Sequence, residues 1–340
     1  MGTGTNNPES KRVAIIGAGI VGVSTAIWLQ RAGHEVVVID KVGPAAGTSY
    51  GNAGVLAAAS VVPVSVPGLW KKAPSMLFSP NKPLFMRWSY LPKIVPWVMQ
   101  FLANGKDEKV QKIADGLSLL LHDCADQHSA LANGTGAEKY ITHGDYVFGY
   151  KDRAAYETDA YGWNMRTERG HPFEEMTAEE FAEYDPAMAG RFGFGVRCPN
   201  HGRISDPGAY VKALAKHAEE QGAEFVTAEV LDIHESDGKA TAVVTSQDTI
   251  EADEVVIATG AWSKPLTEKF GAKVPLEAER GYHIEFVNPS FMPKAPIMVA
   301  TGKYVMTPMD GRLRCAGIVE FGGLTDKRSR GPLELLKRQT

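Results

Sequence analysis

A glycine-rich hexapeptide followed by one carboxylate is the strongest chemical signal in the sequence. The run GAGIVG at 17–22 comes directly after the apolar run 12–16, and Asp40 ends a second apolar run at 36–39. The pattern G-x-G-x-x-G needs this context: a strand before it, a helix after it and an acid about 20 residues further on. Its glycines permit a tight turn, the approach of a pyrophosphate and close packing of helix on strand. We therefore expect a dinucleotide, with Asp40 accepting hydrogen bonds from a ribose and repelling a 2′-phosphate.

A second segment of small residues, GTSYGNAG at 47–54, follows the acid. Its hydroxyl, amide and backbone donors suit an anionic diphosphate and a flat ring system, which favours FAD over NAD. Its first five residues also match G-x-S-x-G, the nucleophile elbow of hydrolases. That elbow needs a strand directly before it, and no apolar run leads into Gly47, so the hydrolase interpretation is disfavoured.

Apolar periodicity predicts the elements that position these residues. The runs 12–16 and 36–39, with helical spacing between them, predict a β–α–β unit. A helix is predicted to begin at Asp206 and Pro207, a suitable N-cap and first residue, and to end near Gly222. Further strands are predicted; they lie at 223–234, 240–246 and 254–260. The last of these indicates that the chain returns to the nucleotide-binding sheet after a long excursion through 61–202.

Length and composition limit the class of protein. The 340 residues suffice for about two domains. Charged residues make up 22% and apolar residues 44%, which excludes a largely disordered chain. A net charge of −4 argues against a dedicated nucleic-acid binder. Three cysteines cannot pair completely, which fits a reducing compartment.

Targeting and metal signals are missing from the sequence. The polar N-terminus lacks the apolar core of a signal peptide, and no run of about 18 apolar residues predicts a transmembrane helix. We therefore expect a cytoplasmic protein. Cys198-x-x-His201 and His122-x-Cys124 are isolated pairs without further ligands at structural-zinc spacing, so no metal site is expected.

Six motifs in a fixed order carry a family resemblance: the hexapeptide at 17–22, GTSYGNAG at 47–54, GRISDP at 202–207, VIATGAWS at 256–263, RGYH at 280–283 and LRCAGIVEFGG at 313–323. With them the chain resembles the FAD-dependent D-amino acid dehydrogenases (small-subunit type) of the D-amino acid oxidase and glycine oxidase family. The resemblance implies an α/β fold in which a Rossmann-like, glutathione-reductase-type FAD-binding domain is interleaved with an α+β substrate domain of the D-amino acid oxidase type. The expected borders are 11–60 and 203–269 for the FAD-binding domain, and 61–202 and 270–330 for the substrate domain.

The resemblance also implies which residues bind FAD. The hexapeptide and the acid hold the ADP part, the 47–54 loop lies near the pyrophosphate and flavin, and the turn after the last strand closes over the cofactor. The backbone of Val230 is expected to meet the adenine. The expected cofactor-binding residues are Gly17, Ala18, Gly19, Ile20, Val21, Gly22, Asp40, Lys41, Thr48, Ser49, Asn52, Ala53, Gly54, Val230, Thr259, Gly260 and Trp262.

The implied reaction is oxidation of the C–N bond of a D-amino acid, or a related amino or imino acid. The product imine hydrolyses to a 2-oxo acid and ammonia. The flavin takes the α-hydrogen as hydride, so the protein mainly positions the substrate. Tyr282 and His283 are the expected catalytic residues. Arg280 and Arg314 are candidates to pair with the substrate carboxylate, and Glu320 is expected to be structural.

Members of the family usually continue past residue 340 into a glycine-rich segment that faces the flavin. Residues 331–340 have a helical pattern and are expected to be a truncated C-terminal segment. The alternative function is therefore a non-catalytic or apo flavoprotein fragment. The preferred side chain, the oligomeric state and the electron acceptor (quinone, a carrier or dioxygen) stay open.

The stretch between Asp40 and Asp107 has no acidic residue but contains lysines, arginine and three of the six tryptophans. Basic charge interleaved with tryptophan is typical of a membrane interface. Residues 64–102 are therefore expected to contact the inner face of the cell membrane peripherally. Pro92 and Pro96 interrupt the segment, so it would not span the bilayer. The alternative is an ordinary cap on the substrate domain.

Overall fold

The computed structural model describes residues 10–71, 84–325 and 327–340. The strands are β1 Arg12–Ile16, β2 Glu35–Asp40, β3 Val55–Leu56, β4 Leu84–Met86, β5 Ile141–Tyr150, β6 Glu174–Thr177, β7 Phe194–Ile204, β8 Glu224–Thr227, β9 Val230–Ser236, β10 Lys239–Thr245, β11 Thr249–Glu251, β12 Glu254–Ile257, β13 Glu279–Val287, β14 Ile297–Val299, β15 Tyr304–Met309 and β16 Arg312–Phe321. The α-helices are α1 Ile20–Arg31, α2 Thr48–Gly51, α3 Leu91–Ala103, α4 Asp107–Leu121, α5 Cys124–Ala132, α6 Arg153–Glu157, α7 Ala160–Glu168, α8 Ala178–Tyr184, α9 Pro207–Glu220, α10 Ser263–Lys269 and α11 Arg330–Gln339.

The chain divides into two compact units, each made of separate segments. The first unit contains the residues up to Tyr50, Leu131–Glu138 and Gly208–Leu276. The second contains Gly51–Ala130, Lys139–Pro207 and Glu277–Thr340.

A four-stranded parallel sheet, ordered β12-β1-β2-β8, lies in the first unit. Val13 pairs with Val36 of β2 on one side and with Glu254 of β12 on the other. Four residues of β1 and four of β2 are buried, as expected for strands of a parallel sheet covered on both faces. The predicted β–α–β unit and the return of the chain to this sheet through 254–257 are both confirmed.

A three-stranded antiparallel sheet, ordered β11-β10-β9, completes the first unit. The single strand predicted at 223–234 is wrong: it consists of two strands, β8 and β9, in two different sheets. The N–H of Ala228 donates to the carbonyl oxygen of Asp40 at 3.0 Å, and the carbonyl of Glu229 accepts from the N–H of Ser246 at 2.8 Å. These two bonds turn the chain from one sheet to the other, and an apolar pattern contains no signal for them.

A mixed sheet lies in the second unit and follows the path β13-β16-β15-β14-β5-β7-β3. β4 extends it from β16, and β6 pairs with β7. An apolar cluster on this sheet includes Tyr282, Leu313, Leu335 and Leu336. Because the last two belong to α11, the helical pattern predicted for 331–340 is confirmed, and this helix is part of the core of the second unit.

The borders of the two units differ from the predicted domain borders in four places. Residues 51–60 group with the second unit, where β3 pairs with β7. Residues 131–138 group with the first unit, where Arg31 donates to two carbonyl oxygens of that segment. Residues 203–207 belong to the second unit and 270–276 to the first. That the first unit binds FAD and the second binds substrate stays a prediction.

None of the helices within 10–71, 84–325 and 327–340 has the length and apolar character needed to cross a bilayer. The predicted surface segment 64–102 includes α3, which has Pro92 in its first turn and Pro96 in its interior. Lys72 and Lys82, which belong to the same prediction, lie outside the described residues.

Candidate functional site

The glycine turn at 17–22 is shaped by close backbone packing. A Cβ on Gly22 would lie 1.8 Å from the carbonyl oxygen of Gly17. A Cβ on Gly17, whose φ is +110°, would lie 2.5 Å from the carbonyl oxygen of Ala258. Only glycine fits at these two positions. The turn therefore brings the start of α1 against the end of β1 and the residue that follows β12.

The N-terminus of α1 has a form that suits an anion. Its cap residue is Gly19, which has no side chain to cap the helix, and its first turn has no acid. The N–H of Ile20 donates to Oγ of Ser49 at 2.9 Å, which places one hydroxyl beside the helix end. Amide N–H groups and the helix dipole favour a phosphate here. A Cβ on Gly19 would lie 3.2 Å from the Ser49 Oγ, so glycine leaves room for the approach of a pyrophosphate.

Asp40, at the carboxyl end of β2, organises the backbone around it. Its Oδ2 accepts from the N–H of Ala18 at 2.9 Å, and its Oδ1 accepts from the N–H groups of Val42 and Gly43, both at 2.8 Å. Each carboxylate oxygen can accept about two hydrogen bonds, so Oδ2 can still accept one from a ribose hydroxyl. The predicted ribose contact fits, and Asp40 has in addition a structural role that the sequence did not indicate.

Two further predicted residues lie near the same edge of the sheet. Thr227 of β8 pairs with Asp40, and the short turn after it leads to Val230, the first residue of β9. The Nζ of Lys41 forms an exposed ion pair with Glu229 at 2.9 Å. Val230 itself belongs to the other sheet, where it pairs with Thr245, and its expected contact with the adenine stays a prediction.

The turn after β12 supplies the remaining predicted residues of the first unit. Gly260 has a φ of +54°, and Oγ1 of Thr259 donates to Oγ of Ser263 at 3.1 Å. The indole of Trp262 is 58% exposed. Because Ala258 packs on Gly17, this turn begins beside the glycine turn, in the position expected of a segment that covers the cofactor.

The loop Gly51–Gly54 begins the second unit and is fixed by three consecutive carbonyl oxygens. That of Asn52 accepts from Nη1 of Arg314 at 2.8 Å, that of Ala53 from Oγ1 of Thr307 at 2.7 Å, and that of Gly54 from the N–H of Ile204 at 2.7 Å. The three donors lie on β16, β15 and β7. Since three strands hold three successive peptides, the loop has little freedom to move relative to its sheet.

His283 on β13 lies against this loop. A Cβ on Gly51 would be 2.9 Å from Cε1 and 3.1 Å from Nδ1 of the imidazole, so glycine is what allows the ring to approach. Burial lowers the pKa of His283, and the charge of Arg314 lowers it further, against a weaker opposing effect of Glu285. The imidazole is therefore neutral near pH 7 and can accept a proton.

Tyr282, the neighbour of His283 on the same strand, points to the opposite face of the sheet. It is 8% exposed and belongs to the apolar cluster of the second unit. Its hydroxyl donates to Oε2 of Glu320 at 2.6 Å and accepts from the N–H of Ser329 at 3.0 Å. Tyr282 thus links β13 to Glu320 on β16 and to the backbone of Ser329. Of the two predicted catalytic residues, only His283 lies beside the loop.

Arg314 is fully buried, and its guanidinium is already paired. Its Nε and Nη2 donate to Oε1 of Glu285 at 2.9 and 2.7 Å, and Nε of Arg312 donates to the same oxygen at 2.9 Å. Burial acts to raise the pKa of Glu285, but these arginine hydrogen bonds outweigh it and hold the pKa low. The role in substrate-carboxylate binding expected for Arg314 is therefore replaced by a clamp on the loop at Asn52.

The other polar candidates also have internal partners. Arg280 donates from Nη2 to the carbonyl oxygen of Thr325. Glu320 accepts from Nε of Arg87 at 3.0 Å as well as from Tyr282, which is the structural role expected of it. His201 accepts at Nε2 from the N–H of Ala59 at 3.1 Å. Among the described residues, no group of three or more His, Cys, Asp or Glu side chains could hold a metal ion.

The family profile described as FAD dependent oxidoreductase matches residues 12–338. The chain belongs to this family. It is 42% identical over 320 residues to the D-amino-acid oxidase of Bradyrhizobium diazoefficiens, covering 93% of this chain and 76% of the relative. It is 30% identical over 329 residues to the D-amino acid dehydrogenase of Rhizobium rhizogenes, covering 93% of this chain and 77% of the relative.

The fold is shared with solved structures of the same kind. Glycine oxidase from Bacillus cereus superposes with a TM-score of 0.67 at 21% sequence identity, covering 97% of this chain and 77% of that one. The predicted fold class is confirmed, and the chain is an FAD-dependent oxidoreductase. Its glycine turn, open helix end and Asp40 fit the cofactor of this family.

Proposed function

We propose that this oxidoreductase oxidises the C–N bond of D-amino acids, or related amino and imino acids, to imines that hydrolyse to 2-oxo acids and ammonia. The supporting observation is the 42% identity to a D-amino-acid oxidase across 93% of the chain. The local geometry agrees, since a neutral histidine lies beside a rigid glycine loop in the second unit. When bound, FAD supplies the two-electron acceptor for this reaction.

Residues of the first unit would hold the ADP part of FAD. The open N-terminus of α1 and Ser49 would bind phosphate, and Oδ2 of Asp40 would bind the ribose. Gly17 and Gly22 keep the turn tight enough for its backbone to approach the cofactor.

His283 would act on the proton of the substrate amine. An α-amino acid carries an ammonium group at neutral pH, and its C–N bond can be oxidised only after the nitrogen lone pair is freed. A neutral imidazole accepts that proton, and the lowered pKa keeps His283 neutral. Exchange of His283 for glutamine would remove the base and leave a side chain that can still form hydrogen bonds.

The first experiment is an absorption spectrum of the purified chain with and without added FAD. The holoprotein is then mixed anaerobically with neutral D- and L-amino acids. We expect the flavin absorbance to bleach with the D enantiomers and much more slowly with the L enantiomers. His283→Gln should slow the bleaching and shift its dependence on pH, while the exposed His234→Gln serves as the matched control. A chain that binds no FAD, or a holoprotein that no amino acid bleaches, would support the alternative of an apo or non-catalytic flavoprotein.

We also propose that the segment 64–102 contacts the inner face of the cell membrane and that a quinone is the electron acceptor. An exposed apolar stripe at helical spacing supports this. Leu91, Val95 and Met99 of α3 are 36%, 44% and 65% exposed, and Trp88, in the short helical turn directly before α3, is 56% exposed. Ile94, on another side of the helix, is buried. The sequence contributes only basic charge around the stripe, which complements an anionic lipid surface.

Co-sedimentation with vesicles tests the membrane contact. We expect stronger binding to vesicles that contain phosphatidylglycerol than to pure phosphatidylcholine, with a loss as salt rises. The double variant Lys71→Glu and Lys93→Glu and the variant Met99→Ser should each weaken binding. Leu119→Ser on α4, where the side chain is 78% exposed, is the control for a general loss of surface apolarity. Equal binding to both vesicle types would contradict the membrane contact and favour the alternative that the segment is an ordinary cap on the substrate domain. Reoxidation of the reduced protein by dioxygen but not by a short-chain quinone would contradict the proposal that a quinone is the electron acceptor.

A further inference from the structure

A cleft of about 590 Å³ opens in the second unit, apart from the residues assigned above. A volume of about 300–1,000 Å³ is typical of small-molecule sites. Its lining combines the cationic side chains of Lys139 and Arg203, the hydroxyl groups of Thr142 and Ser205, and the apolar side chains of Met292 and Met309. Such a mixture suits a small organic acid, whose anionic end and apolar end need different surroundings.

The guanidinium of Arg203 lacks a proper partner within the described part of the chain. Its Nε is buried and makes no hydrogen bond there. Its Nη1 reaches the carbonyl oxygen of Lys294 only at 3.5 Å, longer than an ordinary hydrogen bond of about 2.7–3.2 Å. Burial lowers the pKa of Arg203, yet an arginine stays charged at neutral pH. Arg203 is half-buried, and a cation that is partly removed from water without a paired anion is unfavourable, so an anion bound in this cleft would pair with it.

Hydroxyl groups surround this arginine in fixed positions. Thr142 is its direct cross-strand neighbour on β5. The N–H of Ser205 donates to the carbonyl oxygen of Tyr140 at 2.8 Å, and the carbonyl oxygen of Ser205 accepts from the N–H of Asp310 at 3.0 Å. These backbone bonds hold the side chains at the cleft while leaving the hydroxyl groups to a ligand. Lys139, with its Nζ 5.1 Å from the Tyr140 ring centroid, adds a second positive charge at the rim.

We propose that this cleft is a binding site for the α-carboxylate of a small apolar acid, held by Arg203 and the neighbouring hydroxyl groups. The apolar part of the ligand lies against Met292, Pro308 and Met309. A Cβ on Gly54 would be 3.1 Å from Cε of Met309, so the ligand would touch a side chain that borders the fixed loop. The site goes beyond the proposed function, since it uses neither His283 nor the glycine turn.

A 2-oxo acid and an amino acid both combine a carboxylate with an apolar part, so both fit this cleft. The carboxylate of Asp310 would distinguish between them. Its carboxylate is exposed at the end of the cleft. An ammonium group would be attracted to this carboxylate, whereas the carbonyl of a 2-oxo acid would not. The variant Asp310→Asn should therefore weaken binding of an amino acid and leave that of a 2-oxo acid equal or stronger.

The test is isothermal titration of the FAD-supplemented full chain with 4-methyl-2-oxopentanoate and with L-leucine, an enantiomer that the proposed reaction uses poorly. We expect Arg203→Met to weaken the binding of at least one of them tenfold or more. Arg191→Met is the matched control, because this exposed guanidinium lies 4.5 Å from the ring centroid of Phe291, just outside the cleft. The midpoint of thermal unfolding of ligand-free Arg203→Met should equal or exceed that of the unsubstituted chain, since the substitution removes a half-buried charge that makes no ion pair within the described residues.

Further probes make the outcome decisive. 4-Methylpentanamide, which lacks the carboxylate, should not bind, and inorganic phosphate should bind more weakly than the oxo acid because it has no apolar part. If Arg203→Met does not fold, Thr142→Val and Ser205→Ala provide the same comparison. Equal affinity of the Arg203→Met and unsubstituted chains, or no binding of either acid, would overturn the proposal. Neither readout depends on flavin reduction, so a failure here is distinct from a failure of the proposed function.

Discussion

The guanidinium of Arg314 donates to the carbonyl oxygen of Asn52 at 2.8 Å although the arginine is completely buried. Glu285, its cross-strand partner on β13, neutralises the other edge of the same group. The pair therefore does two things at once: it satisfies a buried charge, and it fixes a peptide of the loop that begins the second unit.

Arg314→Met should destabilise the protein by about 3 kcal/mol, the lower end of the range for breaking a buried pair, because it leaves the half-buried Glu285 with one arginine partner instead of two. Urea unfolding followed by tryptophan fluorescence measures this loss. Glu285→Gln in the same chain should recover part of it, since the unpaired charge is then gone. If the loss of unfolding free energy in the double variant equals the sum of the losses in the two single variants, Arg314 and Glu285 are not energetically coupled.

Asp40→Ala should weaken FAD binding by about 1–3 kcal/mol, the usual effect of losing a charged hydrogen-bond partner. It should also lower the free energy of unfolding of the apoprotein, because the N–H groups of Ala18, Val42 and Gly43 lose their acceptor. Titration of apoprotein with FAD, followed by flavin fluorescence, gives the first quantity. Glu35→Ala, at an exposed carboxylate at the other end of β2, should change both quantities little. An unchanged FAD affinity of the Asp40 variant would remove this residue from the site.

Gly54→Ala should destabilise the second unit far more than Gly47→Ala. At Gly54 the φ is +67° and a Cβ would lie 2.7 Å from the carbonyl oxygen of Ile204, whereas at Gly47 nothing lies within 4 Å. The left-handed conformation alone costs a residue with a side chain about 1–2 kcal/mol, and the backbone clash adds to it. Urea unfolding of the two variants side by side decides the question, and similar midpoints would mean that the loop can shift.

The protein should lose stability as the pH falls from 7 to 5, in part through His201. Burial lowers the pKa of this imidazole, against a weaker opposing hydrogen bond to Pro199. The unfolded chain, with a histidine pKa of about 6.5, then binds the proton first. Stability is therefore complete above that value and decreases below it, by at most about 1.4 kcal/mol per pH unit for one such group. The free energy of unfolding, measured across this range, should fall less steeply for His201→Gln. His234→Gln, at an exposed position, should retain the full slope.

Features made by neighbouring residues could be predicted from the sequence, and those made by distant ones could not. The unit from β1 to Asp40 is encoded locally, since its strands, its helix and its glycine turn follow one another in the chain. That Asp40 binds three backbone N–H groups could not be predicted, because hydrogen-bond partners of a carboxylate leave no periodic pattern.

Sequence alone also grouped polar residues that the structure separates or pairs internally. Tyr282 and His283 are adjacent in RGYH, and only the pleat of β13 separates them onto opposite faces. Arg314 was a candidate for a substrate carboxylate, yet it is paired with Glu285, which lies 29 positions earlier. No local pattern shows this pair, because β14 and β15 lie between β13 and β16 in the chain although β13 and β16 pair in the sheet.

The position of β1 between β2 and β12 has a consequence for synthesis of the protein. The N–H of Arg12 donates to Oδ2 of Asp253, a partner 241 positions further along the chain. A nascent chain therefore leaves the ribosome with one edge of β1 unpaired until the codons for β12 have been translated. Open strand edges invite pairing with other chains. This protein is thus expected to depend on chaperones during translation and to acquire its flavin late, after most of the polypeptide has been made.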